Sequence, residues 1–265
     1  MNGLVDVGET KLYYEIHGTG PSLMLVPGAA GDGGYMQPLA DVLANEFTVV
    51  TYDRRGNSRS PRPDGWNQTS PEEQAVDIAG LIDALDVAPT MLLGNSYGAV
   101  IALCAIVEHE RLFRGAVLHD PALMSVLENP EEPQAVLRPM IEEAIAKGGP
   151  RAAMEAFLAF AAGESIRPLP GAVIDRMLGN GEVLFGVEFG NFEFWHPDEE
   201  RLQALSTPVR LLVGDESPPF FNEAASWIAR QVGVEVVPVP GGHFGFVDKT
   251  SDFVEVVRPL IRSMA

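Results

Sequence analysis

Five residues, Gly94-Asn95-Ser96-Tyr97-Gly98, limit this 265-residue chain more than any others. They stand between an apolar run at 91–93 and a small, apolar stretch at 97–107. The run reads as a buried strand and the stretch as a helix packed deep on a sheet. G-x-S-x-G at a strand-to-helix turn is a nucleophile elbow, in which glycines frame a crowded, strained turn and the serine hydroxyl is lifted out at the strand end. The helix then begins at the serine, so its first N–H groups and positive dipole end face whatever Ser96 attacks.

The surrounding sequence supplies that context. Short apolar runs at 23–26, 47–52, 115–118, 209–213 and 234–239 end in polar or glycine turns and alternate with helix-like segments. They are continuous rather than alternating, as in strands covered on both faces. Residues 10–16 do alternate and read as a strand of an opening hairpin. Ser70-Pro71 marks a helix start, with serine as cap and proline at the first helical position. Ile78, Leu81, Ile82 and Leu85 then form one helical face. The alternation predicts an α/β fold with a mostly parallel, doubly wound sheet, whose ligands sit beyond the carboxyl ends of the strands. Between 122 and 206 the pattern changes to helical segments at 136–146, 151–162 and 172–178, separated by proline and glycine and ending in an aromatic cluster that includes Phe194 and Trp195. This predicts a helical cap inserted after the sixth main strand, with 1–121 and 207–265 as the core and 122–206 as the cap.

Charge and cysteine content narrow the partners. Eighteen basic residues against 37 acidic ones give a formal net charge of −19. Such a surface repels phosphate backbones and anionic lipid, which argues against nucleic-acid and membrane partners. The one cysteine, Cys104, excludes an intramolecular disulfide and reads as a buried small hydrophobe. No signal-like N-terminal segment or membrane-length apolar run is visible, so a cytoplasmic location is the expectation.

A serine hydroxyl needs a base to become a nucleophile. Of the five histidines, His243 follows Ser96 in the chain and lies in Gly241-Gly242-His243-Phe244, just past the last strand, at the sheet end where Ser96 must lie. His17, His109 and His196 read as surface or packing residues. His119, at another strand end, is expected to line the pocket. The loop 27–34 holds four glycines, which let backbone approach a ligand closely. The N–H groups of Tyr97 and Ala29 are the expected oxyanion donors.

Taken together, Pro27-Gly28, the run Tyr52-Asp53-Arg54-Arg55-Gly56-Asn57-Ser58, the elbow and Gly242-His243 resemble the α/β-hydrolase superfamily along nearly the whole chain. More narrowly, His119-Asp120-Pro121 and Ser217-Pro218-Pro219-Phe220-Phe221 are similar to segments of bacterial esterases and zearalenone lactonases. Many superfamily members carry the triad acid three residues past a glycine after the seventh strand, where this chain has Ser217. In the lactonase-like group the acid follows the sixth strand, which implies Asp120, in preference to Asp215, as the residue orienting His243. The resemblance makes Asp53 and the neighbouring arginines a structural brace of the strand end. It implies hydrolysis of a carboxylic ester or lactone through an acyl-enzyme, with no metal or organic cofactor. The aromatics Trp195, Phe194 and Phe244 imply an apolar or aromatic small-molecule substrate. Gly-Asn-Ser-x-Gly elbows also occur in relatives that cleave carbon–carbon bonds of ring-fission products, although their usual acid after strand seven is absent here. The alternative from a different class is a slow-turnover small-molecule receptor on the same fold.

Overall fold

The computed structural model describes residues 1–192 and 195–265. Eight strands form one sheet: β1 (Asn2–Val7), β2 (Thr10–His17), β3 (Ser22–Val26), β4 (Thr48–Tyr52), β5 (Thr90–Asn95), β6 (Phe113–His119), β7 (Val209–Gly214) and β8 (Val236–Val239). Their order is β1-β2-β4-β3-β5-β6-β7-β8. The opening hairpin β1–β2 is antiparallel, and β2 joins β4 antiparallel. Every later pairing is parallel.

The continuous apolar runs lie where both faces are covered, and β5 is buried along its whole length. Alternate side chains of a strand enter different layers. Met24 and Leu92 pack with helices α2 (Pro71–Leu85) and α3 (Tyr97–Glu108). Leu23, Leu25, Met91 and Leu93 pack on the other face with helix Thr250–Arg262 and with α1 (Gln37–Leu43), which in chain order precedes α2. Helix α3 buries every residue from Tyr97 to Val107, Cys104 among them, which accounts for its lack of a polar face. Ser70 caps α2 by accepting the Glu73 N–H at 3.2 Å.

Between β6 and β7 the described residues form helices and turns only. Helix α4 (Glu131–Ala162) breaks at Gly149, whose φ of 74° precedes Pro150, so the two segments expected at 136–146 and 151–162 are its halves. Helix α5 (Gly171–Gly179) and a π-helical turn, Leu184–Glu188, follow. Among the described residues no helix is long and apolar enough to cross a membrane.

Candidate active site

The carboxyl ends of β5, β6, β7 and β8 bring the predicted residues together. Ser96 leaves β5 with φ 59° and ψ −125°, a region sparsely populated by residues with a side chain. Its neighbours hold it there. The Ser96 N–H donates to the His119 carbonyl at 3.0 Å, and the Ser96 carbonyl accepts from Ala99 N at 3.0 Å and Ala122 N at 3.3 Å. The flanking glycine is a steric necessity, since a Cβ on Gly98 would stand 2.2 Å from the Val26 carbonyl oxygen.

Asp120 extends β6 by one ladder bond, its N–H donating to the Leu212 carbonyl at 2.9 Å, and then turns with φ 45°. That turn aims the carboxylate across the end of β7. Oδ1 accepts the Gly214 N–H at 3.1 Å, and Oδ2 accepts the Ser217 hydroxyl at 2.6 Å and faces His243 Nδ1 at 2.9 Å. Burial pushes the Asp120 carboxyl upward, but His119, His243 and the Ser217 hydroxyl outweigh it and hold the group at about 2. An ionised Asp120 can only accept, so it is His243 Nδ1 that carries the proton between them. The ring of Phe221 stacks on His243 at 4.3 Å with 12° between planes, fixing the imidazole from its flat side. Asp215 turns elsewhere: its Oδ1 accepts the Gly241 N–H at 2.7 Å.

His119 does not line the pocket as expected. It is fully buried behind Asp120, edge-on to Phe253 at 5.0 Å and Phe246 at 5.9 Å. Asn95 Nδ2 donates to the His243 carbonyl at 3.2 Å and meets His119 Nδ1 at 3.1 Å. A carbonyl can only accept, so the amide's NH2 end faces both groups and His119 Nδ1 is the acceptor. The His119 proton therefore sits on Nε2, 3.7 Å from Asp120 Oδ2. Burial lowers the His119 imidazole to about 4, against the pull of Asp120, so at neutral pH it is uncharged.

Ser96 and His243 open onto one cavity of about 380 Å³. Ala29, Tyr97 and Phe244 are among its lining residues, and Phe157, Phe160, Phe189, Phe220 and Phe221 add five more aromatic rings to the wall. A recess of about 10 Å³, roughly the space of one oxygen atom, adjoins Ala29, Ser96 and His243. Trp195 lies away from this wall, its indole N–H donating to Glu72 Oε1 at 2.7 Å, and Phe194 lies outside the described residues. The wall aromatics of α4 were missed because a helix pattern does not say which face meets the pocket. Phe221 was visible only as one of a pair. Among the described residues no cluster of three or more His, Cys, Asp or Glu side chains could hold a metal ion.

Asp53, expected to brace the strand end with the arginines beside it, makes its pair with a later arginine. Asp53 pairs with Arg59, at 2.6 Å from Nε. Arg55 takes Asp77 and Glu73. Arg54 reaches into the insertion and meets Glu188 with two bonds of 2.7 and 2.8 Å.

Comparison with known proteins identifies the fold. A family model described as alpha/beta hydrolase fold matches residues 21–250. The chain is 28% identical to the uncharacterized hydrolase YraK of Bacillus subtilis (strain 168), over 98% of this chain and 96% of that protein. It is 25% identical to the zearalenone hydrolase of Bionectria ochroleuca, over 92% of this chain and 91% of that one. A thermophilic esterase from Thermogutta terrifontis, solved with malate bound, superposes with a TM-score of 0.77 at 23% identity, covering 100% of this chain and 99% of its own. With the family match spanning most of its length, and the strand order and elbow in agreement, the chain belongs to the α/β-hydrolase fold family.

Proposed function

We propose that the protein hydrolyses carboxylic esters or lactones through an acyl-enzyme on Ser96. The observation that carries this reading is the buried Asp120–His243 pair, 2.9 Å apart, at the edge of the cavity onto which Ser96 opens. In the proposed reaction His243 takes the Ser96 proton as the hydroxyl attacks the carbonyl carbon. Asp120 keeps the imidazole in the required tautomer and stabilises the imidazolium. The N–H groups of Ala29 and Tyr97 hold the developing oxyanion in the small recess beside Ser96. His243 then returns the proton to the departing alkoxide, and water repeats the sequence to release the acid. No electron transfer or metal is invoked in any step. The aromatic wall favours a substrate with an apolar or aromatic body.

The test is hydrolysis of p-nitrophenyl butyrate by the wild type and three variants, with folding checked by circular dichroism. Ser96→Ala and Asp120→Asn are each expected to lower kcat by about 10⁴-fold or more. Asp215→Asn is expected to stay near wild type, because the asparagine carbonyl can still accept the Gly241 N–H. Loss of activity in Asp215→Asn with retention in Asp120→Asn would reverse the acid assignment. A wild type inert to esters and lactones alike would overturn the reading.

A further inference from the structure

Arg54 is fully buried, yet it does not touch the cavity. Its guanidinium is almost fully engaged. Nη1 donates to Gln74 Oε1 at 2.7 Å and to Glu188 Oε1 at 2.7 Å, and Nη2 donates to Glu188 Oε2 at 2.8 Å. Nε donates to the Gly28 carbonyl at 3.1 Å. Its main-chain N–H also fastens the same loop, donating to the Gly31 carbonyl at 2.9 Å. Glu188 is likewise fully buried, takes a further bond from Asn57 Nδ2 at 3.3 Å, and ends the π-helical turn Leu184–Glu188. Single π-turns of this kind are uncommon in helices and gather at functional sites.

The Gly28 carbonyl is the informative partner. In a trans peptide the carbonyl of one residue and the N–H of the next share a plane and point in opposite directions. Fixing the Gly28 oxygen therefore fixes the direction of the Ala29 N–H. Two donors clamp that oxygen, Arg54 Nε and the Gly31 N–H at 2.9 Å, and the Gly28 N–H is itself bonded to the Tyr35 hydroxyl. The loop is pressed against the elbow, for a Cβ on Gly28 would lie 2.8 Å from the Asn95 carbonyl oxygen and 3.0 Å from Ser96 Cβ. A charged donor on the carbonyl also draws electron density through the amide and strengthens the N–H on its far side.

We propose that Arg54, anchored by Glu188 of the insertion, is a positioning residue that aims and polarises the Ala29 N–H as an oxyanion donor. The inference rests on the hydrolase reading above. It explains why a buried charge pair bridges segments 134 residues apart, where a neutral pair could fill the same space. It also ties the oxyanion loop to the turn that carries Leu184, a cavity-wall residue.

The test is the double variant Arg54→Met/Glu188→Gln, which removes the charges together and avoids leaving one buried and unpaired. Readouts are kcat and KM on p-nitrophenyl butyrate, and the inhibition constant of an alkyl trifluoromethyl ketone, whose serine adduct places an oxyanion on Ala29 and Tyr97. The expected result is a folded protein with kcat lowered on the order of 100-fold, as for the loss of one oxyanion donor. The ketone should weaken by a similar factor while KM stays within about threefold, the signature of an interaction made in the transition state. A purely structural pair would move thermal stability and leave kcat and ketone affinity in place, which would overturn the inference. If the double variant does not fold, Glu188→Gln alone decides on the same readouts, with a smaller but parallel fall in kcat and ketone affinity expected. A wild type with neither turnover nor ketone inhibition overturns the hydrolase reading and this inference with it. An active wild type with an unaffected variant overturns this inference alone.

Discussion

Acidification should destabilise the folded protein through His119, and the magnitude follows from where its ring is held. The folded chain keeps this imidazole neutral down to about pH 4, because the ring is fully buried and its Nδ1 already faces the Asn95 amide donor. In the unfolded chain it takes up a proton near its ordinary value of 6.5. Between those values the unfolded state binds more protons, so stability rises with pH and falls as pH is lowered from 6.5 toward 4. At about 1.4 kcal/mol per pH unit the interval is worth about 3 kcal/mol at pH 4, a large share of the ~5–15 kcal/mol that stabilises a typical domain. Asp120 acts lower down. Held at about 2 in the fold against an ordinary 3.8, it contributes stability above 3.8 that is lost as pH falls toward 2. The two windows are therefore separable. The assay is urea unfolding of the wild type and His119→Gln at pH 7, 5.5 and 4.5. The glutamine can accept from Asn95 and does not titrate, and the comparison cancels the other four histidines. Between pH 7 and 4.5 the wild-type midpoint should fall by about 0.8 M more than that of the variant, taking a slope of about 3 kcal/mol per molar urea. Parallel pH dependences in the two proteins would show that His119 is protonated in the fold and would refute the argument.

Two further outcomes follow from the same contacts. Ser217→Ala removes the 2.6 Å hydroxyl donor to Asp120 Oδ2, and the loss of a hydrogen bond to a charged group, ~1.5 to 3 kcal/mol, should lower kcat about tenfold or more with KM little changed in steady-state assays. Gly98→Ala forces a methyl to within 2.2 Å of the Val26 carbonyl oxygen, so the elbow must shift, costing ~1–3 kcal/mol in thermal or urea unfolding and most of the esterase activity; a variant as active and stable as wild type would count against the tight elbow.

Much of the fold can be read from residue order because local chemistry dictated it. The apolar runs that become β3, β5, β6 and β7 have no polar face to expose, and each ends where glycine or a polar turn begins. The elbow announces itself because only glycine tolerates its contacts. What stayed hidden depended on packing between distant segments. His119 sits at a strand end, where a pocket residue belongs, yet Phe246 and Phe253 close over it from the other end of the chain. Glu188 gives no local sign that it meets Arg54, since a glutamate in a helical segment ordinarily faces water. Asp53 takes Arg59 rather than its neighbour because the turn at 54–58 folds Arg59 back over the Tyr13 ring, 3.8 Å from its centroid.

The contrast between Asp120 and Asp215 follows from how two neighbouring strand ends meet. β6 and β7 run parallel with His119 opposite Leu212, so their ends emerge side by side. Asp120 stands on one end, while Gly214 N–H and the Ser217 hydroxyl reach its carboxylate from the other. Ser217, the position at which the sequence resemblance would place an acid, thus supplies a donor to Asp120 from the adjacent strand. This arrangement places a buried carboxylate beside His243 Nδ1, with the adjacent strand end supplying its hydrogen bonds. Asp215, only one residue past Gly214, is spent on the Gly241 N–H and so fastens the turn that carries His243. An acidic residue near the right place is therefore a weak guide to the acid, and the stronger one is which carboxylate its neighbours leave aimed at the imidazole.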